Sequence, residues 1–139
     1  MQPEKTVSTR RVCLTFGVFN YLVNLDKLVL KFNMLHTLEK GLFDGLGKVR
    51  ELQLHKNQIQ TIEDKTFDDL EKLEILHLAK NNLSAVSTSW FSKLTKLQTL
   101  RLYENQLTSI PEDIFQNLPN LKEIAIMNYK TFQVTYSLL

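Results

Sequence analysis

A single cysteine, Cys13, stands in 139 residues, so no disulfide can close within the chain and no cysteine-rich zinc site can form. Glycine (four) and proline (three) are scarce, and no glycine-rich loop of the phosphate-cradling kind is present. No apolar run approaches the ~18 residues that a membrane-spanning helix needs. Charge of one sign is not in excess either. A net charge of +2 and a pI near 8.6 are too mild for bulk nucleic-acid binding. The opening Met1-Gln2-Pro3-Glu4-Lys5 carries no apolar segment of signal-peptide type, so the sequence as it stands is expected to be soluble. No triad pattern or paired-carboxylate motif stands out, and neither an enzyme nor a cofactor is expected. What is plentiful is leucine, at 25 residues in a composition otherwise ordinary for one globular domain.

Those leucines are periodic. Rows of 24 residues written from Leu25 superimpose without an insertion: LDKLVLKFNMLHTLEKGLFDGLGK, VRELQLHKNQIQTIEDKTFDDLEK, LEILHLAKNNLSAVSTSWFSKLTK and LQTLRLYENQLTSIPEDIFQNLPN. A partial row, LKEIAIMNYKTFQVTYSLL, follows. Seven columns are apolar in all four full rows; the fourth reads Leu28, Leu52, Leu76, Leu100 and the nineteenth Phe43, Phe67, Phe91, Phe115. The ninth column is Asn33, Asn57, Asn81, Asn105. A fixed period in this range with the pattern L-x-x-L-x-L-x-x-N is the signature of a leucine-rich-repeat solenoid. The expected fold is of the α/β class: a curved, right-handed solenoid with a short parallel sheet on its concave face. Irregular and 3-10 segments are expected on the convex face.

Each column has a physical reason. In L-x-x-L-x-L the alternation sends two leucines inward and the residue between them out, as in a short strand. The turn that follows leaves backbone donors and acceptors that no sheet can satisfy. A buried asparagine amide, with one acceptor and two donors, can bond them in its own and the neighbouring coil. The phenylalanines should stack inside the convex side, with Trp90 at the edge of that core. Residues 1–24 fit the register only late, at Leu14, Phe19 and Leu22, whereas Glu4, Thr6, Thr9 and Arg11 do not fit. They are expected to form an N-terminal cap and half-repeat, ahead of four repeats over 25–120. Residues 121–139 then make a degenerate last repeat acting as a C-terminal cap. Its Tyr129 replaces the ladder asparagine, and Leu121, Ile124, Ile126 and Phe132 risk exposure. Either that tail covers the last coil or a second copy does, and a homodimer through a terminal coil is expected.

The row YENQLTSIPEDIFQNLPN (residues 103–120) resembles repeats of variable lymphocyte receptors and of Toll-like receptor ectodomains. The 24-residue period and the phenylalanine column resemble the typical class of repeats found in secreted and cell-surface recognition proteins. That resemblance covers about residues 14–128. It implies an extracellular or cell-surface recognition module of innate or antigen-receptor type, and it names no ligand. Disulfide-bonded caps are usual in that family, whereas this chain has one cysteine, and MNYK (127–130) stands where an Asn-Pro-Trp-like cap opening would be.

Chemistry has one place to sit. The outward columns of the sheet, 2, 3, 5, 7 and 8, vary freely, and columns 5, 7 and 8 carry Lys31, Lys56, Lys80 and Arg101 against a single acid, Glu104. The convex columns carry the opposite excess, with Asp44, Asp68, Asp69 and Glu71 among their acids. A positive concavity with Tyr103 and Phe32 at its flanks suits an anionic ligand with some apolar or sugar character. For a recognition module of the kind the resemblance implies, that is an anionic glycan, lipopolysaccharide or another bacterial surface molecule. A specific polypeptide partner is the alternative, and exposed strands also need charge simply to remain soluble. The expected ligand-binding residues are Lys31, His55, Lys56, His77, Lys80, Arg101 and Tyr103, with Asn33, Asn57, Asn81 and Asn105 as the structural ladder. His55 and His77 should lie roughly 8 Å apart by strand spacing and rise, and no third ligand column makes them a metal site. Cys13 reads as an idle thiol, and Asn82-Leu83-Ser84 as a chance match to the glycosylation sequon.

Overall fold

The structure is a computed structural model and describes residues 6–8, 17–128 and 131–137. Within them the strands are β1 (Thr6–Ser8), β2 (Lys27–Val29), β3 (Thr37–Leu38), β4 (Glu51–Gln53) and β5 (Thr61–Ile62). The series continues with β6 (Ile75–His77), β7 (Thr99–Arg101), β8 (Glu123–Asn128) and β9 (Thr131–Ser137). One sheet runs β1-β2-β4-β6-β7-β8-β9, parallel throughout except for the last pair. β3 and β5 form a second, two-stranded parallel ladder. Leu28, Leu52, Leu76, Leu100 and Ile124 lie opposite one another across the main sheet, so each coil advances by one 24-residue row. The result is a parallel-strand leucine-rich-repeat solenoid, with 3-10 helices only at Thr88–Phe91 and Glu112–Phe115 among the described residues.

The inward columns make one continuous core. Every position of the seven apolar columns is buried except Ile110 and Phe115. Phe19, Phe43 and Phe67 stack along the side opposite the sheet, with centroids 6.2 and 6.0 Å apart. Trp90 is also buried, packed edge-on against Phe91. Phe115 departs from expectation at 37% exposure. Ile114, beside it in the 3-10 turn after Pro111, is wholly buried in its stead. In the next row the nineteenth column holds Leu139, so the phenylalanine column ends at Phe115.

The ends differ from simple decay of the pattern. β1 pairs with β2 so that Val7 faces Leu28, a step of 21 residues where the other coils step 24. Thr6, which misses the 24-residue register, therefore begins a strand. Glu4, Thr9, Arg11, Cys13 and Leu14 lie outside the described residues, as does Tyr129. At the other end β9 turns back antiparallel on β8, Ile124 facing Tyr136, and occupies the edge of the sheet. The side chain of Phe132 also lies outside the description. No helix among the described residues is long and apolar enough to cross a membrane.

The asparagines bridge coils at the turn. The Asn81 amide donates to the carbonyls of Leu54, Leu78 and Ala79 at 3.0, 3.0 and 3.2 Å, and its Oδ1 accepts from the Ile59 N–H at 3.0 Å. Asn57 and Asn105 make the equivalent sets, and Asn33 donates within its own coil. The residue just before each ladder asparagine adopts a left-handed backbone: Phe32, Lys56, Lys80 and Glu104, with φ between 52° and 60°. A non-glycine residue there costs of order 1 kcal/mol. The ladder bonds hold that turn in place, which keeps these four side chains in a single file beside the strands.

Candidate functional site

The sheet's outward face gathers the expected binding residues. His77 ends β6, opposite Gln53 of β4 and Arg101 of β7. Lys31, His55 and Tyr103 sit two residues beyond the ends of β2, β4 and β7, again facing outward. Lys56 and Lys80 belong to the left-handed file beside them.

The two imidazoles come closer than strand arithmetic gives. Their centroids are 3.8 Å apart with planes at 18°, a direct stack. The expected ~8 Å measures the backbone; the rings lean together because Ala79 stands between His55 and Tyr103 in the same column. Ala79 has only a methyl group and is wholly buried. Tyr103 closes the other side of His77, its ring centroid 5.7 Å away and its hydroxyl 3.5 Å from Nε2. Nδ1 of each histidine is sealed from solvent without a hydrogen-bond partner. Sequence reading had no rule for this ladder of rings; the small residue at position 79, between two large ones, was its one visible signal.

The cations shape the electrostatics. Burial, then Lys31, Lys56, Arg101 and Lys80, lowers the His55 pKa to about 4. Burial, then His55, Arg101, Lys80 and Lys31, lowers that of His77 to about 3. Both rings are thus neutral at physiological pH, and the positive charge comes from lysine and arginine alone. Lys80 lies 3.9 Å from Glu104, a half-exposed pair worth little. Lys56 Nζ sits 4.3 Å above the Phe32 ring. Lys31 and Arg101 have no acidic partner among the described residues. Away from this face, burial and then neighbouring Asp69 raise the Asp44 pKa. At the opposite edge of the strands lies a cleft of mixed charge, crossed by Lys27–Glu51 at 3.3 Å and Arg50–Asp26 at 3.9 Å.

The lowered histidine pKa values fix a pH dependence. In the unfolded chain a histidine binds its proton near pH ~6.5, whereas in the fold these two do so only near 4 and 3. As pH falls through that window the unfolded state takes up protons first, so stability present above pH ~6.5 is lost towards pH 4. The loss should be roughly 2 kcal/mol after discounting for solvent screening. Denaturant titrations at pH 7 and pH 4 check this: the wild type should lose more stability than a His55→Gln/His77→Gln variant. Equal losses would contradict the assignment. Among the described residues no group of three or more His, Cys, Asp or Glu could hold a metal ion.

This fold and face can be set beside known proteins. A leucine rich repeat family model matches residues 23–83 and 71–128. The chain belongs to the leucine-rich-repeat family. No curated protein matches it. Among solved structures, this leucine-rich-repeat chain is similar to TLR13 in the crystal structure of a TLR13–ssRNA13 complex. The identity is 30% and the TM-score 0.71, over 83% of this chain. The match covers 17% of the TLR13 chain, so this leucine-rich-repeat protein spans a small part of the length of that receptor. Proteins of this family are typically non-enzymatic, and the likeness supports a recognition or binding module.

Proposed function

We propose that this chain is a recognition module of innate or antigen-receptor type, acting outside the cell or at its surface. Its basic sheet face binds anionic microbial surface molecules, acidic glycans and lipopolysaccharide foremost. The observation that carries this reading is the set of four cations, Lys31, Lys56, Lys80 and Arg101, around a ladder of neutral rings, with one acid, Glu104, in the left-handed file beside them. Clustered cations with few local acids attract anions, and the rings add contact to an uncharged sugar body.

Binding to immobilised lipopolysaccharide or a sulfated glycan should weaken steeply as salt rises from about 0.05 to 0.5 M, because exposed charges are screened. A neutral glucan should not bind at any salt. Salt-independent binding would overturn the electrostatic reading.

Two other ligand classes have an observation behind them. The mixed-charge cleft beside Glu51 and Glu74 fits a specific polypeptide better than a glycan. The RNA in the TLR13 complex raises nucleic acid, but here the histidine faces already cover each other. As to assembly, β9 covers β8 and is itself the last strand of the sheet, so a homodimer through the C-terminal coil would meet at β9 and not at β8. Light scattering over a concentration series tests that contact; a constant mass of 16.2 kDa refutes it.

A further inference from the structure

The order of groups along the solenoid says more than their net charge. From coil to coil the outward face presents Lys31, then His55, then His77, then Arg101 with Tyr103 beside it. Lys31 and Arg101, neither with an acidic partner among the described residues, therefore stand at the ends of the ring ladder. Three strand spacings of about 4.8 Å separate their coils, roughly 14 Å in all. Lys56 and Lys80, in the left-handed file, border the middle of the ladder on one side only. On the other side Glu51 accepts a hydrogen bond from Gln53 at 2.6 Å and pairs with Lys27. The strip is thus positive at both ends and along one flank, and it is closed by an acid on the other.

The facing sides of the stacked rings are closed to a ligand. His55 and His77 cover each other at 3.8 Å, and Tyr103 leans over the far side of His77. A nucleobase would have to pry that stack apart to insert between the histidines, as single-stranded nucleic acids do when successive bases stack on aromatic side chains. Hydroxyl groups need no such opening, because the Tyr103 hydroxyl lies at the ladder's rim and can donate or accept.

We infer that this face is a slot for a linear acidic oligosaccharide lying along the solenoid axis. One anionic group docks at Lys31 and another at Arg101, and the sugar hydroxyls between them meet the rings. Lys56 and Lys80 hold an intermediate charge. This inference rests on the anionic-glycan reading above and adds a length and a direction to it.

Calorimetric titration with heparin-derived disaccharide, tetrasaccharide and hexasaccharide tests it, using wild type, Lys31→Ala and Arg101→Ala. A probe long enough to reach both end cations should bind about tenfold tighter than the disaccharide, because the second contact becomes intramolecular. Longer probes should add little. Each single variant should abolish that step, so that its affinities for the three lengths agree within about twofold. Affinity that rises in proportion to length without a plateau overturns the slot but leaves anionic recognition standing. So does an equal loss at every length. If no acidic oligosaccharide of any length binds, the anionic-glycan reading fails with it. A single-stranded RNA oligonucleotide of matched charge that binds more tightly than the glycans also overturns the inference, since the rings would then have opened to stack on bases.

Discussion

Asn81→Ala is expected to destabilise the fold by about 3 kcal/mol and to lower Tm by roughly 10 °C. The side chain is buried, and truncation strips the Ile59 N–H of its acceptor and the Leu54, Leu78 and Ala79 carbonyls of a donor. None of these groups can turn to water without opening the turn between two coils. The left-handed conformation of Lys80, directly before it, would also lose its brace. Asn82→Ala is the matched control: Asn82 is half-buried, and substitutions at such sites usually stay within about 0.5 kcal/mol. Thermal melts and denaturant titrations of the two variants decide the matter. If Asn81→Ala melts together with Asn82→Ala, the ladder does not brace the coils.

The largest effect on binding should come from reversing charge at Lys56, Lys80 and Arg101 together. An acidic glycan should then bind at least about a hundredfold more weakly, because three attractions become three repulsions at short range. Lys72→Glu, Lys93→Glu and Lys96→Glu together change net charge by the same amount on exposed sites of the convex columns. That second triple variant should bind within a few-fold of wild type, any difference reflecting only the long-range field. Circular dichroism confirms that both remain folded. Equal weakening by the two sets would mean that net charge acts without a site.

Some of this was legible in the sequence for a plain reason. A strict period fixes register, so the alignment of Leu28, Leu52, Leu76, Leu100 and Ile124 follows from counting. Counting fails where the period changes. Val7 stands 21 residues before Leu28, and a ruler of 24 passes over it. The same ruler puts Phe115 inside, although Ile114 is the residue wholly buried there. The return strand β9 has no repeat to betray it, and covering the last coil from within the chain was only one of two expectations. At the candidate site the columns name the right outward positions but speak only of backbone. The contact of His55 with His77 depends on the room left by Ala79, and the file of Phe32, Lys56, Lys80 and Glu104 depends on a left-handed turn at four residues that are not glycine. Side-chain volume and backbone handedness at a non-glycine residue are three-dimensional outcomes, which a column of apolar letters does not encode.

A two-dimensional amide NMR titration with a sulfated oligosaccharide tests the central claim most directly, since a chain of 16.2 kDa gives resolved spectra. Saturable shift changes should cluster at Lys31, His55, Lys56, His77, Lys80, Arg101 and Tyr103, on the outward face of β2, β4, β6 and β7. Lys40, Lys48, Lys72, Lys93 and Lys96 should remain unmoved. Shifts that map to those convex lysines, or that spread evenly over every lysine without saturating, would contradict a binding site on the sheet face.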